Sequence, residues 1–351
     1  MEPVTWREAW HEALYAAGSG FYVAAGGPVA HFATAASGPA REVLAAALLR
    51  LVDHRPQVIV DVGAGRGELA TALLHAAQGI LPEARPLPPD IWGDGYRQGD
   101  IPPPRYLGGG GVRVVAVDVT PRPPELDPRV EWLRSPGGPD LPADLRDLDD
   151  ALVVAHEWLD VVPCTIAEVG DDGTLREVLV DPRSGAESPG APVDGPDRDW
   201  ATAHWPPRGP GDRIEIGRSR DEAWSALVDR VRSGVLVAVD YGHTRASRPA
   251  GGTLTAYRRG RETRPVPDGS CDLTAHVAMD SLEHDDLVTQ RDALRRLGLT
   301  GRPPELAGAA SDPAAYLVAL ERSTHEAHLI APGGYGAFWW AVRRIPANAV
   351  P

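Results

Sequence analysis

The sequence predicts an α/β fold in which a parallel sheet is covered on both faces by helices. Three observations predict it. Strand-like apolar runs alternate with helical stretches along the chain. The runs VRVVAVD (112–118), ALVVA (151–155) and GVLVAVD (234–240) are nearly continuous, as strands buried on both faces are. The first run, Val58-Ile59-Val60, stops at an acid, Asp61, and is followed by Gly63, Gly65 and Gly67 just before a helical stretch.

Each element has its own signal. Thr5-Trp6-Arg7-Glu8 fits a capping box and opens a helix to about Ala17. Val43, Leu44, Ala47, Leu48 and Leu51 fall on one side of a second helix over 39–52. A strand at 57–61 and a helix at 67–77 come next. Residues 82–111 are crowded with Pro and Gly and read as a loop insertion, because the pattern resumes at once with strand 112–118. A weaker strand covers 130–133, and the strand at 151–155 follows. CTIAEV, a DDG turn and LREVLV read as a hairpin. A second Pro/Gly-rich loop is expected over 181–211, then a strand at 212–216, a helix at 221–232 and a strand at 234–240. Helices near 284–297 and 312–322 and a strand at 337–343 close the chain. In the last of these, one of Trp339 and Trp340 is expected in the core and the other at a surface.

Composition narrows the function classes. The charge balance is 35 basic against 49 acidic side chains, a net −14, which disfavours a nucleic-acid binder and suits a small molecule or a basic protein. Every basic residue other than histidine is Arg; the absence of Lys excludes a P-loop and a Schiff-base mechanism. Two distant cysteines, Cys164 and Cys271, and an acid-containing first segment without an apolar core point to a cytoplasmic protein. No apolar run reaches membrane-span length. His325-Glu326-Ala327-His328 lacks the spacing of a zinc-protease helix, and there is no C-x-x-C or G-x-S-x-G. No metal site is expected.

The glycine turn carries the chemistry. A dinucleotide fingerprint has its third glycine three residues after the second, where Glu68 stands here. Asp61, at the carboxyl end of the first sheet strand, would repel a pyrophosphate and favour a cation. S-adenosylmethionine carries both an ammonium and a sulfonium, and glycines let backbone approach it closely. Asp118 ends the next strand, where a carboxylate can accept both ribose hydroxyls. Tight packing alone would also explain a strand–turn–helix with three glycines.

With these residues in view, the chain resembles the MidA-like S-adenosylmethionine-dependent methyltransferases, which include a mitochondrial complex I assembly factor that methylates an arginine. Gly20-Phe21-Tyr22 and His31-Phe32-Ala33-Thr34 resemble that family's first segments. VDVGAGRGEL is similar to its glycine loop, with Asp61 in place of the usual Glu and Ala64 in place of a common Pro. VAHEWLDVVP, RIEIGRSRDEAW, VAVDYGH, GGTLTAYRRG and GSCDLTAHVAM follow in the family's order. The resemblance implies a Rossmann-like class I methyltransferase sheet with an N-terminal helical cover and a β-rich insertion. The divisions expected are cover 1–56, first half of the donor-binding core 57–160, insertion 161–217, and second half of the core with acceptor-side loops 218–351. It also implies that Phe32 and Thr34 belong to a cover over the donor.

On the acceptor side, Glu157 and Asp160 follow strand 151–155, and their spacing would set both carboxylates on one side of a helical turn, able to fork a guanidinium. The alternative is that Asp160 only caps a turn. Tyr241 is expected to contact the acceptor and His243 to take a proton; Asp272-Leu273-Thr274-Ala275-His276 is expected in a loop, and by resemblance Asp272, Thr274 and His276 stand beside the acceptor pocket. Three readings remain open: transfer to a protein arginine, transfer to an O or N atom of a small molecule, and an assembly protein that keeps its donor site. An oligomer is compatible with each.

Overall fold

The computed structural model describes residues 2–24, 36, 38–79 and 111–347. The expected loop at 82–111, except Gly111, and the positions of Phe32 and Thr34 lie outside the described residues.

A seven-stranded sheet forms the centre. Its spatial order is Asp286–Thr289, Trp339–Ile345, Gly234–Asp240, Ala151–His156, Val58–Val62, Arg113–Asp118 and Val130–Arg134. All are parallel except Trp339–Ile345, which runs antiparallel to both neighbours. The sequence order reverses at Val58–Val62, which lies between Ala151–His156 and Arg113–Asp118. A crevice therefore opens at the carboxyl ends of these three strands, the position where open α/β sheets bind ligands.

The burial of Val58–Val62 explains its apolar run, since all five residues are buried. On one face, helices α2 (Arg41–Leu48) and α3 (Glu68–Ala77) pack Leu44, Leu48, Leu69 and Leu73 onto the sheet. On the other, the helix Arg218–Val228 contributes Trp224 and Leu227. Trp340 is fully buried and Trp339 only partly so.

The hairpin Thr165–Val169 and Leu175–Val180 belongs to a separate antiparallel sheet with Glu187–Pro192 and Arg213–Ile216. Helix α1 (Trp6–Tyr15) begins at the expected capping box: Thr5 Oγ1 accepts from Glu8 N, and Thr5 N donates to the Glu8 carboxylate. Its Trp6, Trp10 and Leu14 pack against this sheet and Leu273. The two N-terminal helices therefore serve different layers: α1 sits on the insertion, α2 in the core layer beside α3.

Four expectations need correction. The span 181–211 is not one loop but holds the strand Glu187–Pro192 and the helix Gly195–His204. Proline misled the reading. Pro189 and Pro192 lie on an edge strand whose only partner among the described residues is Leu175–Val180, and a proline is tolerated there because edge amides need no partner. Pro196 occupies the first turn of the helix, where its missing N–H is no loss. The helix expected from 284 starts at Gln290; the preceding Asp286–Thr289 pairs with Trp339–Ile345, and Thr289 caps the helix by accepting from Asp292 N. Asp272–Thr274 is a short strand paired with Thr255–Tyr257 rather than a loop. The helix expected at 312–322 runs further, over Pro313–Leu329.

Candidate active site

The glycine turn is built by the backbone. Gly63 and Ala64 donate to Val117 O, tying the turn to the next strand. Gly63, Gly65 and Gly67 all have positive φ, at 74°, 59° and 78°. The three glycines differ in purpose. A Cβ on Gly65 would meet nothing within 4 Å and would project into open space. A Cβ on Gly67 would come within 2.6 Å of Leu126 Cδ1, so this glycine serves packing at the start of α3 rather than ligand approach. Gly63 faces Trp158, whose Cβ a side chain would approach to 3.2 Å.

Asp118 fixes the turn from below: its carboxylate accepts from Gly65 N at 2.8 Å, from Thr120 N at 2.9 Å and from Thr120 Oγ1 at 2.9 Å. Burial raises its pKa, and these hydrogen bonds oppose the rise. Asp61 is buried, and its Oδ2 has no hydrogen-bond partner among the described residues. Burial pushes its carboxyl up to about 7.

These groups line a cavity of about 660 Å³ at the crevice. Its other wall is the segment after Ala151–His156. Glu157 and Asp160 both line it, but no helical turn brings them together. Glu157 has φ 52°, a left-handed conformation costing roughly 1–2 kcal/mol for a residue with a Cβ. The following backbone is held by Asp240, whose Oδ2 accepts from both Leu159 N and Asp160 N at 3.1 Å. A strained residue and a buried anchor thus set the two carboxylates into one space.

In each, one oxygen accepts a hydrogen bond; the other makes none among the described residues, although Glu157 Oε1 lies 3.4 Å from His156 Nδ1. Glu157 Oε2 accepts from the Tyr241 phenol at 2.8 Å, and Asp160 Oδ2 accepts from Thr274 Oγ1 at 2.7 Å. Glu157 Oε1 and Asp160 Oδ1 are buried without a hydrogen-bond partner among the described residues. Burial first, then the Asp160 charge, pushes the Glu157 carboxyl up to about 8. Burial also raises Asp160. Asp272 lines the same cavity and accepts from the Tyr22 phenol at 2.7 Å; burial lifts it to about 8.

Of the residues singled out from sequence, Asp61, Gly63, Gly65, Asp118, Glu157, Asp160, Tyr241 and Asp272 line this one cavity. Thr274 stands behind it and holds Asp160. His243 and His276 do not line it. His243 is buried between Arg248 and Trp205, with Arg248 Nη1 2.8 Å from its Nδ1, and burial takes it down to about 3. His276 is exposed, 5.9 Å ring to ring from Tyr241. His156, which the sequence leaves open between a packed and a catalytic histidine, also lines the cavity, and sequence reasoning missed Tyr15 and Trp158 beside it. Contact across the fold reveals Tyr15, whereas Trp158 follows Glu157 directly in the chain. Among the described residues no group of His, Cys, Asp and Glu is arranged to hold a metal ion, and no helix is long and apolar enough to cross a membrane.

A seven-stranded sheet in this order, with an acid–glycine turn at its crevice and an acid ending the neighbouring strand, defines a class I methyltransferase fold. Residues 113–298, more than half of the chain, match the family model described as "Putative S-adenosyl-L-methionine-dependent methyltransferase", and the chain belongs to this MidA-like family of S-adenosylmethionine-dependent methyltransferases. Two structures from Burkholderia thailandensis are similar to it, each with a TM-score of 0.69 and 20% identity over 97% of this chain and 87% of theirs. One is a native structure of an uncharacterized superfamily protein; the other is a superfamily member described as a "likely methyl transferase", bound to S-adenosyl-homocysteine. The CcbJ methyltransferase from Streptomyces caelestis covers 90% of this chain with a TM-score of only 0.36 and 10% identity, which carries no argument. No curated protein matches the chain.

Proposed function

We propose that the enzyme transfers the methyl group of S-adenosylmethionine to a cationic nitrogen group, an arginine side chain of a partner protein. The observation that carries this reading is a pair of buried oxygens, Glu157 Oε1 and Asp160 Oδ1, that line one cavity and make no hydrogen bond among the described residues. Buried carboxylate oxygens are costly to leave unpaired, and a guanidinium supplies donors in a planar fork that matches two of them.

The residues present fit the donor. The open space over Gly65 admits a ligand against backbone, and Asp61 Oδ2 offers a buried acceptor for an ammonium. Asp118 Oδ1 already accepts two hydrogen bonds from Thr120, while Oδ2 accepts one from Gly65 N and keeps a lone pair for a ribose hydroxyl. That a protein of similar fold binds S-adenosyl-homocysteine supports this choice of donor. When bound, S-adenosylmethionine supplies an electrophilic methyl group on a positively charged sulfur.

The chain's own residues do the rest. Glu157 and Asp160 orient the guanidinium and draw its charge to one side, leaving a nitrogen free to attack. Glu157 Oε1 takes the proton that nitrogen sheds. Tyr241 keeps Glu157 turned inward, and Trp158, 7% exposed, walls the site from water.

The test is incubation of purified enzyme and labelled donor with lysate from a strain lacking the gene, followed by identification of the labelled species. Label on arginine of a protein supports the reading; label on a neutral metabolite, with proteins unlabelled, overturns it.

A further inference from the structure

The acceptor side of the cavity contains two phenol–carboxyl couples, and only one is built from the sheet. Tyr241 and Glu157 come from the ends of neighbouring strands, Gly234–Asp240 and Ala151–His156. In the other, Asp272 sits on the short strand Asp272–Thr274, and its phenol partner, Tyr22, arrives from the N-terminal segment 250 residues away in sequence.

That segment is tightly held. Phe21 N donates to Ala13 O and Tyr22 N to Leu14 O, so the chain folds back on the end of α1. The Tyr15 ring stacks on Tyr22, with centroids 5.8 Å apart and planes at 26°. Tyr15 in turn donates its hydroxyl to Val161 O at 3.0 Å, next to Asp160. On its far side it packs on Gly137, where a Cβ would lie 2.8 Å from Tyr15 Cδ1. The segment spans from the donor side of the cavity, at Gly137, to the acceptor side, at Asp272. Structure alone does not demand a phenol at position 22. A phenylalanine would keep the stacking, yet Tyr22 directs its hydroxyl onto a carboxylate that lines the cavity.

The geometry points to Tyr22 as a positioning residue of the acceptor site, holding the Asp272 carboxylate toward the cavity so that it and Glu157 together receive the acceptor's cation. The inference rests on the cationic-acceptor reading above and adds a third carboxylate and the N-terminal segment to it. Tyr22 also favours the charged form of Asp272, because a hydrogen bond to a carboxylate stabilises it. The groups that face Asp272 are Tyr22 and Tyr15 from the N-terminal segment, Asp160 and Glu157 from the loop after Ala151–His156, and Tyr257 from the paired strand. The acids oppose its ionisation; among these groups Tyr22 is the one that donates to it.

Agmatine, a small guanidinium compound, is the probe, titrated into protein saturated with S-adenosylhomocysteine and followed by ligand-observed NMR between pH 6 and 9.5. Wild-type affinity is expected to rise with pH as Asp272 and Glu157, both lifted to about 8, become ionised. In Tyr22→Phe, affinity at pH 7 should fall about tenfold, and the rise should move to higher pH, with recovery toward wild type by pH 9.5. A purely structural loss would not recover with pH. Asp272→Asn should weaken binding at every pH. If Tyr22→Phe follows the wild-type curve while Asp272→Asn loses affinity, the role of Tyr22 is overturned. If wild type fails to bind agmatine at any pH, the cationic-acceptor reading falls instead.

Discussion

Replacing Glu157 by glutamine should separate donor binding from transfer. Glutamine keeps the size of the side chain and an oxygen for the Tyr241 hydroxyl, 2.8 Å away in the wild type. It cannot carry a charge or take a proton at Oε1, the oxygen that makes no hydrogen bond among the described residues. A positioned carboxylate acting on a proton is worth about 10²–10⁴ in rate, or about 3–5 kcal/mol of barrier. Turnover should fall by that factor. Affinity for S-adenosylhomocysteine should change by less than about threefold, because Asp61, Asp118 and the Gly65 backbone are untouched. Stability gives a second signature. Burial moves the Glu157 carboxyl from its ordinary 4.5 to about 8, so between those values the native protein holds a proton that the unfolded chain releases. Stability from this group is therefore greatest below about pH 4.5 and is lost as pH rises toward 8, by up to about 1.4 kcal/mol per pH unit. Glu157→Gln is flat in that window, so the variant should gain on the wild type as pH rises from 5 to 8. Radiolabel transfer, calorimetry with S-adenosylhomocysteine and denaturant unfolding at several pH values measure all three. Normal turnover in the variant would remove Glu157 from the acceptor chemistry; a stability profile parallel to wild type would show that it is ionised in the empty cavity.

Other substitutions probe other parts of the site. Asp61→Ala should weaken S-adenosylhomocysteine binding about ten- to a hundredfold at pH 7.5, the loss of one charge-assisted hydrogen bond. It should also abolish the strengthening that wild type shows from pH 5.5 to 7.5 as the buried Asp61 carboxyl, lifted to about 7, becomes ionised; calorimetry across that range checks both. Gly67→Ala should cost about 2–4 kcal/mol in denaturant unfolding, from a left-handed φ of 78° and a methyl 2.6 Å from Leu126, while the folded fraction still binds the donor product. His276→Ala should leave turnover within about threefold of wild type in the transfer assay, since this exposed ring lies outside the cavity.

The sequence by itself determined the sheet and one wall of the cavity. Continuous apolar runs mark strands buried on both faces, and an acid followed by spaced glycines marks a strand end that opens on a cavity. Both are local signals, so Asp61, Gly65 and Asp118 were legible from neighbours a few residues away. Local signals also misled. Proline at 189, 192 and 196 hid an edge strand and a helix, because proline costs nothing where no amide partner is needed. The acceptor side was decided only by tertiary structure. Glu157 and Asp160 converge because Asp240, 80 residues on, holds the intervening backbone, not because they share a helical turn. Tyr22 reaches Asp272 across 250 residues, and His243, placed by sequence beside the chemistry, is turned away by Arg248 and Trp205. Direction of a side chain depends on what packs against it, and those partners come from distant segments that periodicity and spacing do not register.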